Sequence, residues 1–377
     1  MDNNVVIKKC TSYELESVKT AINQGFVLLG GLDKFVKKNE KVLLKVNCLF
    51  CAEPEKAVTT HPVFLKAVIQ ILKTQTSNIF VGDSPGFGSF LAGAKKTGYA
   101  QVAEEEGITL VEFKEEEEIR YDGALNYKKF KVDSIINKVD KIINLPKLKT
   151  HGLMYMTLAV KNMFGIIPGT NKAGYHFRAG RDKVLFAKML VDLYRSKPPV
   201  MNIVDGIIGM EGNGPGGGEA INTGVIVMGE NGFAVDHAIP KIVGLKPDSV
   251  FTNMVYRKFV NEGKEIEYKI LGETIEAVKV AKFTPVAESG DTAKFGPKFL
   301  RNMLSDLVTP KQIYIKEKCT ACLKCVKVCP VEALVYDKKQ KRIICDYDKC
   351  IRCFICQEIC ADKAIVIKKP FLAKFSK

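Results

Sequence analysis

Nine of the twelve cysteines in this chain lie between positions 319 and 360. Cys319, Cys322, Cys325 and Cys329 follow C-x2-C-x2-C-x3-C with Pro330 next, and Cys350, Cys353, Cys356 and Cys360 repeat that spacing 31 residues later. The offset holds beyond the thiols, since Ala333 and Val335 recur as Ala364 and Val366. The stretch is therefore an internal repeat of one supersecondary unit. A tight loop with a cysteine at every third position directs three thiolates inward. Zinc sites more often join two well-separated C-x2-4-C turns, four ligands to each ion. Two back-to-back four-cysteine copies suit a pair of cubane iron–sulfur clusters better than zinc. One cluster would suffice to staple a small domain, whereas two adjacent clusters make a path for electrons.

Residues 312–368 resemble a bacterial two-cluster ferredoxin. In such ferredoxins the fourth ligand of each cluster comes from the other copy. The resemblance implies one 4Fe-4S cluster on Cys319, Cys322, Cys325 and Cys360 and a second on Cys350, Cys353, Cys356 and Cys329. The second copy departs from the pattern at Ala361, where proline is usual. Cys345 is left over and reads as a small buried residue. From Asp306 to Lys377 basic side chains outnumber acidic ones by eight, which favours an acidic redox partner such as a flavodoxin or another ferredoxin.

A chain of 377 residues has room for two or three domains. No apolar run approaches the roughly 20 residues that span a bilayer, and the start lacks a signal-type apolar core. These features point to the reducing cytoplasm and to no membrane partner, and in that compartment clustered cysteines argue for metal rather than disulfides. The formal charge of +15 is spread along the chain without tryptophan or interleaved aromatics, so it reads as a solvated lysine-rich surface and not as a nucleic-acid footprint.

The remaining chain must position a site for these electrons. Apolar runs at 41–49, 77–83, 107–113, 141–150 and 198–209 alternate with helical stretches such as 61–75. This rhythm predicts an α/β domain with a largely parallel sheet over residues 1–300, followed by a small α+β ferredoxin-like domain over 308–370. The Pro- and Gly-containing stretch 282–307 reads as the linker, and the acidic run 112–120 as a solvated loop. Ligands of such sheets sit at the carboxyl ends of the strands, where the polar motifs fall.

Those motifs are Gly82-Asp83-Ser84-Pro85-Gly86, Pro146-Lys147-Leu148-Lys149-Thr150-His151, Lys161-Asn162 with Phe164-Gly165, Asp205-Gly206, Glu211-Gly212-Asn213-Gly214-Pro215 and the stretch 233–237. With them the chain, over about residues 5–300, resembles the iron–sulfur centre proteins built on the domain of unknown function 362. The resemblance implies the fold and the clusters but no settled reaction. His151, Lys161, Pro168-Gly169 and His176 also fall in the order found around the cofactor of nickel-pincer lactate racemases, although LAVKN replaces the glycine-rich stretch before that family's lysine.

Lys147, Lys149 and His151 alternate along an extended chain and so share a side. Such a row can bind a carboxylate or phosphate and set His151 up as a proton donor. His151, Lys149 and Lys161 are the candidate catalytic residues. Asp83, Ser84 and Gly86 offer loop amides to an anion or a flavin phosphate, or else simply cap a turn. Lys147, Asn162 and His176 join them as candidate cofactor-binding residues, as do Glu211 and Asn213 in a glycine-rich flap. His61 begins a helix, where a ring nitrogen can meet a ligand, and His237 reads as packing. Cys48 and Cys51 form a C-x-x-C without a thioredoxin context, which favours two packed thiols over a redox dithiol. The leading expectation is an oxidoreductase passing electrons through two clusters to a small-molecule or flavin site. A non-enzymatic electron carrier and a metal-cofactor isomerase are the alternatives.

Overall fold

The computed structural model describes residues 2–169, 171–286 and 311–368. The strands of the first domain are β1 (Val5–Lys9), β2 (Val42–Lys45), β3 (Ile79–Asp83), β4 (Thr109–Glu112), β5 (Glu116–Arg120), β6 (Lys129–Asp133), β7 (Lys141–Asn144), β8 (Lys147–His151), β9 (Tyr155–Thr157), β10 (Met201–Glu211), β11 (Glu219–Gly229) and β12 (Ile270–Gly272). Ten of them form one mixed sheet in the order β12-β1-β11-β10-β7-β2-β3-β4, with β8 and β9 branching from β10. The run β10-β7-β2-β3-β4 is parallel throughout, as the alternation of apolar runs and helices predicts. An antiparallel edge is added by β1, β10 and β11.

Side chains that alternate along a strand must go to opposite faces. Accordingly Val5, Ile7, Leu43, Val204 and Val227 pack in one core layer, while Val6, Val42, Leu44, Ile203 and Met228 pack in the other. Helices Leu15–Leu28 and Pro62–Leu72 cover the second face. Helices Lys183–Ser196 and Gly232–Ile242 cover the first.

Two expectations change. The run 141–150 is two strands, β7 and β8, separated by Leu145 and Pro146. The acidic run is not a loop: Glu116–Arg120 is β5, paired antiparallel with β6. Diagonally across the ladder Lys129 meets Glu118 at 2.8 Å and Lys131 meets Glu116 at 3.2 Å. Most of the expected linker, from 287 on, lies outside the described residues.

The second domain repeats itself in three dimensions. Strands β13 (Lys311–Tyr314), β14 (Leu334–Asp337), β15 (Arg342–Cys345) and β16 (Ile365–Lys368) pair as β13-β16 and β14-β15, so each ladder takes one strand from each copy. The short helices Lys324–Lys327 and Ile355–Glu358 stand 31 residues apart. So do the left-handed residues Ala321 and Arg352, Leu323 and Phe354, and Glu332 and Lys363. The sequence repeat is thus a repeat of backbone turns.

Candidate functional site

Each cysteine quartet expected from the ferredoxin resemblance lines its own small cavity. Cys319, Cys322, Cys325 and Cys360 surround one, and Cys329, Cys350, Cys353 and Cys356 surround the other. Backbone amides support the crossing sulfurs equally: Ala364 N–H donates to Cys360 Sγ and Ala333 N–H to Cys329 Sγ, both at 3.3 Å. Gln312 Nε2 adds a donor to Cys350 Sγ at 3.0 Å. Among the described residues no three His, Cys, Asp or Glu side chains are placed to hold a single metal ion. Four thiols around a shared space with N–H groups aimed at sulfur suit a cluster core. We call the first quartet outer, because Cys322 is exposed, and the second inner, because Cys350, Cys353 and Cys356 are buried.

The inner quartet touches a larger cavity through Cys329. That cavity, of about 430 Å³, lies beyond the carboxyl ends of β2, β3 and β8. Lys149, His151, Lys161, Lys172 and His176 line it from the α/β domain. The ferredoxin domain closes it with Lys327 to Pro330, including Cys329, and with Ile355, Glu358 and Ile359.

Its polar wall is built from strand ends. Lys45 closes β2, Asp83 closes β3 and the two meet at 2.8 Å, fully buried. Asp83 also accepts the Cys48 and Ser84 amides at 2.6 and 2.8 Å. Burial pushes the Asp83 carboxyl up and the Lys45 ammonium down, and each partner opposes the other's shift. A side chain at Gly165 would collide with this pair, since an added Cβ would lie 2.0 Å from Asp83 Oδ1. Asn144, at the end of β7, begins a chain of amides. Asn162 Nδ2 donates to Asn144 Oδ1 at 2.7 Å, and Asn47 Nδ2 donates to Asn162 Oδ1 at 2.8 Å. Asp236 accepts the Ala159 and Val160 amides at 2.7 and 3.0 Å and so holds the turn that presents Lys161. Burial raises Asp236 to about 7.

His151 is fixed in one tautomer. Its Nδ1 accepts the amides of Leu153 and Met154 at 3.0 and 3.2 Å, which leaves the proton on Nε2. Nε2 stands 3.1 Å from Glu358 Oε1, across the boundary between the domains. Burial, then the charge of Lys161, lowers His151 to about 4, so the ring is neutral at pH 7. Burial works against the Glu358 carboxylate, yet His151 and Lys161 hold it well below the usual range. Lys149 donates to Val58 O at 2.6 Å, and burial followed by repulsion from Lys161 and Lys147 lowers it to about 7. Lys161 has its pKa lowered by burial against the pull of Glu358. Its ammonium lies on the cavity wall, 6.0 Å from the centre of the Phe164 ring. His176 stacks on Phe186 with centroids 4.2 Å apart, and its buried Nδ1 lacks a partner among the described residues.

Four expectations are corrected. Lys147 is not on the cavity. Its Nζ is engaged by Tyr13 at 2.6 Å and by Asp205 at 2.8 Å, the residue directly opposite it on β10. The amides of Ser84 and Gly86 are not free for a phosphate, since they donate to Gly165 O and Leu49 O at 3.1 and 2.7 Å. Asp83 and Ser84 line the cavity but face lysines, with Ser84 Oγ bound by Lys172 Nζ at 2.8 Å. Glu211 and Asn213 belong to no flap. Glu211 accepts the Thr284 amide at 2.6 Å, and Gln357 of the ferredoxin domain donates to Asn213 O at 2.9 Å. The glycine-rich stretch is the seat on which the cluster domain rests. A Cβ at Gly216 would fall 2.1 Å from Glu358 O, so glycine is required for two backbones to touch. His61 caps its helix through Nδ1 and stacks on Tyr13 at 3.5 Å. His237 contacts Glu265 and Tyr268 and takes no part in the cavity.

Sequence reasoning missed Glu358 and Lys172. The 31-residue alignment sets Glu358 opposite Lys327, and both line the cavity. Lys172 and His176 are four apart on the helix Asn171–Ala179, hence on one face.

Residues 42–241, more than half of the chain, match the family described as domain of unknown function (DUF362), and residues 311–361 match a 4Fe-4S dicluster domain. The protein belongs to the DUF362 family. The thylakoid-associated protein sll1697 of Synechocystis sp. is 35% identical over 252 residues, covering 67% of this chain and 78% of that one. This DUF362 protein is accordingly an iron–sulfur protein with a dicluster domain. Among solved structures, the lactate racemase apoprotein from Thermoanaerobacterium thermosaccharolyticum is similar at a TM-score of 0.41 and 12% identity, over 60% of this chain and 54% of that one. A Thermotoga maritima protein gives a TM-score of 0.37 and 12% identity, over 54% and 52%. The chain thus spans about half the length of either structure, and both likenesses are too slight to carry a residue's role across. Among the described residues no helix is long and apolar enough to cross a membrane.

Proposed function

We propose that the protein is an iron–sulfur oxidoreductase that passes electrons between a partner protein and a small anionic molecule held in the cavity. The observation that carries this reading is that one cavity is lined both by Lys149, His151, Lys161 and His176 and by Cys329 of the inner quartet. Cys319, Cys322, Cys325 and Cys360 hold the outer 4Fe-4S cluster, and Cys350, Cys353, Cys356 and Cys329 the inner one. When bound, the two clusters supply single electrons in series.

The chain's own residues do the rest. Lys161 offers an ammonium to an anion, and Lys149 adds a second cationic site that titrates near neutrality. Two backbone amides on Nδ1 fix the His151 ring, and its Nε2 stands 3.1 Å from Glu358 Oε1 on the wall of the same space. Electrons tunnel through protein, but protons need donors within hydrogen-bond reach; Lys149, lowered to about 7, can give one, and neutral His151 offers its Nε2–H as a hydrogen bond. The aromatic side chains of the lining are Phe87 and Phe164, and the polar wall is cationic, which supports a compact carboxylate- or phosphate-bearing molecule over a flavin. Exposed Cys322 and the basic character of this domain suit docking of an acidic redox partner in a compartment where thiols stay reduced.

The test uses oxygen-free protein with reconstituted clusters. Acetate, phosphate and sulfite serve as probes, followed by calorimetry and by the magnetic resonance spectrum of the reduced inner cluster. Lys161→Met is expected to weaken probe binding by roughly tenfold or more with iron content unchanged, the effect of removing one charged partner. Absence of any probe-dependent heat or spectral shift in the unaltered protein would leave a plain electron carrier as the better reading.

A further inference from the structure

Cys48 and Cys51 sit just past β2, Cys48 on the wall of the same cavity and Cys51 behind it against Ser89 and Gly93, and no step above employs them. Their sulfurs are 3.5 Å apart. The backbone around them is pinned. Cys48 bridges to Thr59 and donates its amide to Asp83 at 2.6 Å, while Leu49 O accepts from Gly86 at 2.7 Å. Space is also cleared for the second thiol. A Cβ at Gly93 would lie 2.0 Å from Cys51 Sγ, so any larger residue there would drive Cys51 out of its place. Cys48 is buried at 1% exposure, and Cys51 is partly exposed. Among the described residues no third ligand joins them to hold a metal ion. Merely packed thiols need neither a reserved glycine nor mutual sulfur contact with one member open to reagents.

We propose that Cys48 and Cys51 form a reversible dithiol–disulfide couple, with Cys48 on the cavity wall and Cys51 as the member open to reagents. In the oxidising direction Cys51 Sγ attacks a small disulfide compound, forming a mixed disulfide and releasing one thiol. Cys48 Sγ then attacks Cys51 Sγ and releases the second thiol. Two S–H bonds break and one S–S bond forms in the protein, and the two electrons and two protons leave on the small disulfide, which becomes two thiols. The hydrogen bond from Cys48 lowers the pKa of Cys51, the order of roles that the exposures require. The couple places a store for two electrons next to the cavity, which Cys48 lines. It stands or falls separately from the anion site.

The experiment takes the full chain with its clusters reconstituted under anaerobic conditions. The protein is equilibrated in glutathione buffers of rising disulfide content, then trapped with N-ethylmaleimide in denaturant, and its peptides are weighed. The expected result is complete loss of both labels from the Cys48–Cys51 peptide at high glutathione disulfide, with an internal S–S bond in their place. Dithiothreitol should restore both labels, with iron content unchanged throughout. Cys48→Ser should leave a single stable glutathione adduct on Cys51. Persistence of both labels at every ratio, or oxidation of the pair only alongside loss of cluster iron, would overturn the proposal.

Discussion

The outer and inner quartets come from one repeated unit, yet they live in different surroundings. The outer has an exposed cysteine and basic neighbours such as Lys316 and Lys324. The inner is walled by buried cysteines, receives side-chain donors from Gln312 and Tyr314, and opens onto the lysine-lined cavity. Identical local turns fix the ligand spacing in both. The difference comes partly from within the repeat, where Gln312 and Tyr314 correspond to Ile343 and Cys345, and partly from the α/β domain that packs against the inner quartet. A cluster's potential follows hydrogen bonds to its sulfurs and its exposure to solvent, so two equal sites become unequal stations on one route.

Removing the inner station should have the largest effect. Cys329→Ala is expected to reduce iron from about eight to about four per chain and to abolish transfer to the cavity, while the remaining cluster still exchanges electrons with a partner. Cys322→Ala should lose the same amount of iron but leave the inner cluster reducible by small mediators. Iron analysis with partner-driven and mediator-driven rates separates the two. Equal behaviour in both assays would abolish the distinction between the stations.

Unseating the domain should come next. Gly216→Val places a side chain against the Glu358 backbone, where even a Cβ would lie 2.1 Å from its carbonyl oxygen. Both clusters should remain, but turnover should fall by roughly tenfold or more, because displacement by about 1 Å at a site can cost that much or greater. The inner cluster should then respond to solvent-borne quenchers as the outer one does.

How much of this was legible beforehand follows from how far each feature reaches along the chain. The cysteine quartets lie within 42 positions, and their spacing encodes their geometry directly. The parallel sheet was legible because each strand's apolar run carries its own signal. Glu358 and His151 meet across 207 positions, and nothing near either residue announces the other. The glycine-rich seat read as a flap because glycine reports only that a backbone has a close neighbour or an unusual turn, not whether that neighbour is solvent, ligand or another domain. Alternation put Lys147 beside Lys149, but it says nothing of partners 134 and 58 positions away, and Tyr13 and Asp205 take the Lys147 ammonium.

A smaller effect should come from the donors that set the inner station apart. Gln312→Leu removes the side-chain donor 3.0 Å from Cys350 Sγ. A hydrogen bond that strengthens by about 1.4 kcal/mol on reduction corresponds to about 60 mV for one electron, so the inner midpoint should fall by that order while the outer stays put. The inner midpoint should also depend on pH. Lys149 and Lys172 are lowered to about 7 by burial and carry charge below that value. Their positive charge favours the reduced, more negative cluster, so the midpoint should fall by roughly tens of millivolts as pH rises through 7. The outer midpoint should stay flat over the same range. Potentiometric titration at pH 6 and 8 reads both, and a shift shared equally by the two clusters would assign the effect to overall charge instead.

The smallest expected effect tests which thiol completes the inner quartet. Cys345 lies on β15 beside Cys350 and shares the Gln312 amide, at 3.5 Å. It is nonetheless absent from the lining of the inner cavity, where Cys329 of the other copy stands. Its thiol is pushed far above the ordinary range, chiefly by its hydrogen bond with Cys350, so it is held as a thiol while its neighbour is favoured as the thiolate. Cys345→Ala should therefore leave iron and sulfide content unchanged and shift the inner midpoint by no more than about 20 mV, a fraction of one hydrogen bond. Loss of about four irons from Cys345→Ala, with retention in Cys329→Ala, would mean that the inner cluster draws all its ligands from one side of the repeat. The two copies would then be independent sites rather than interlocked ones.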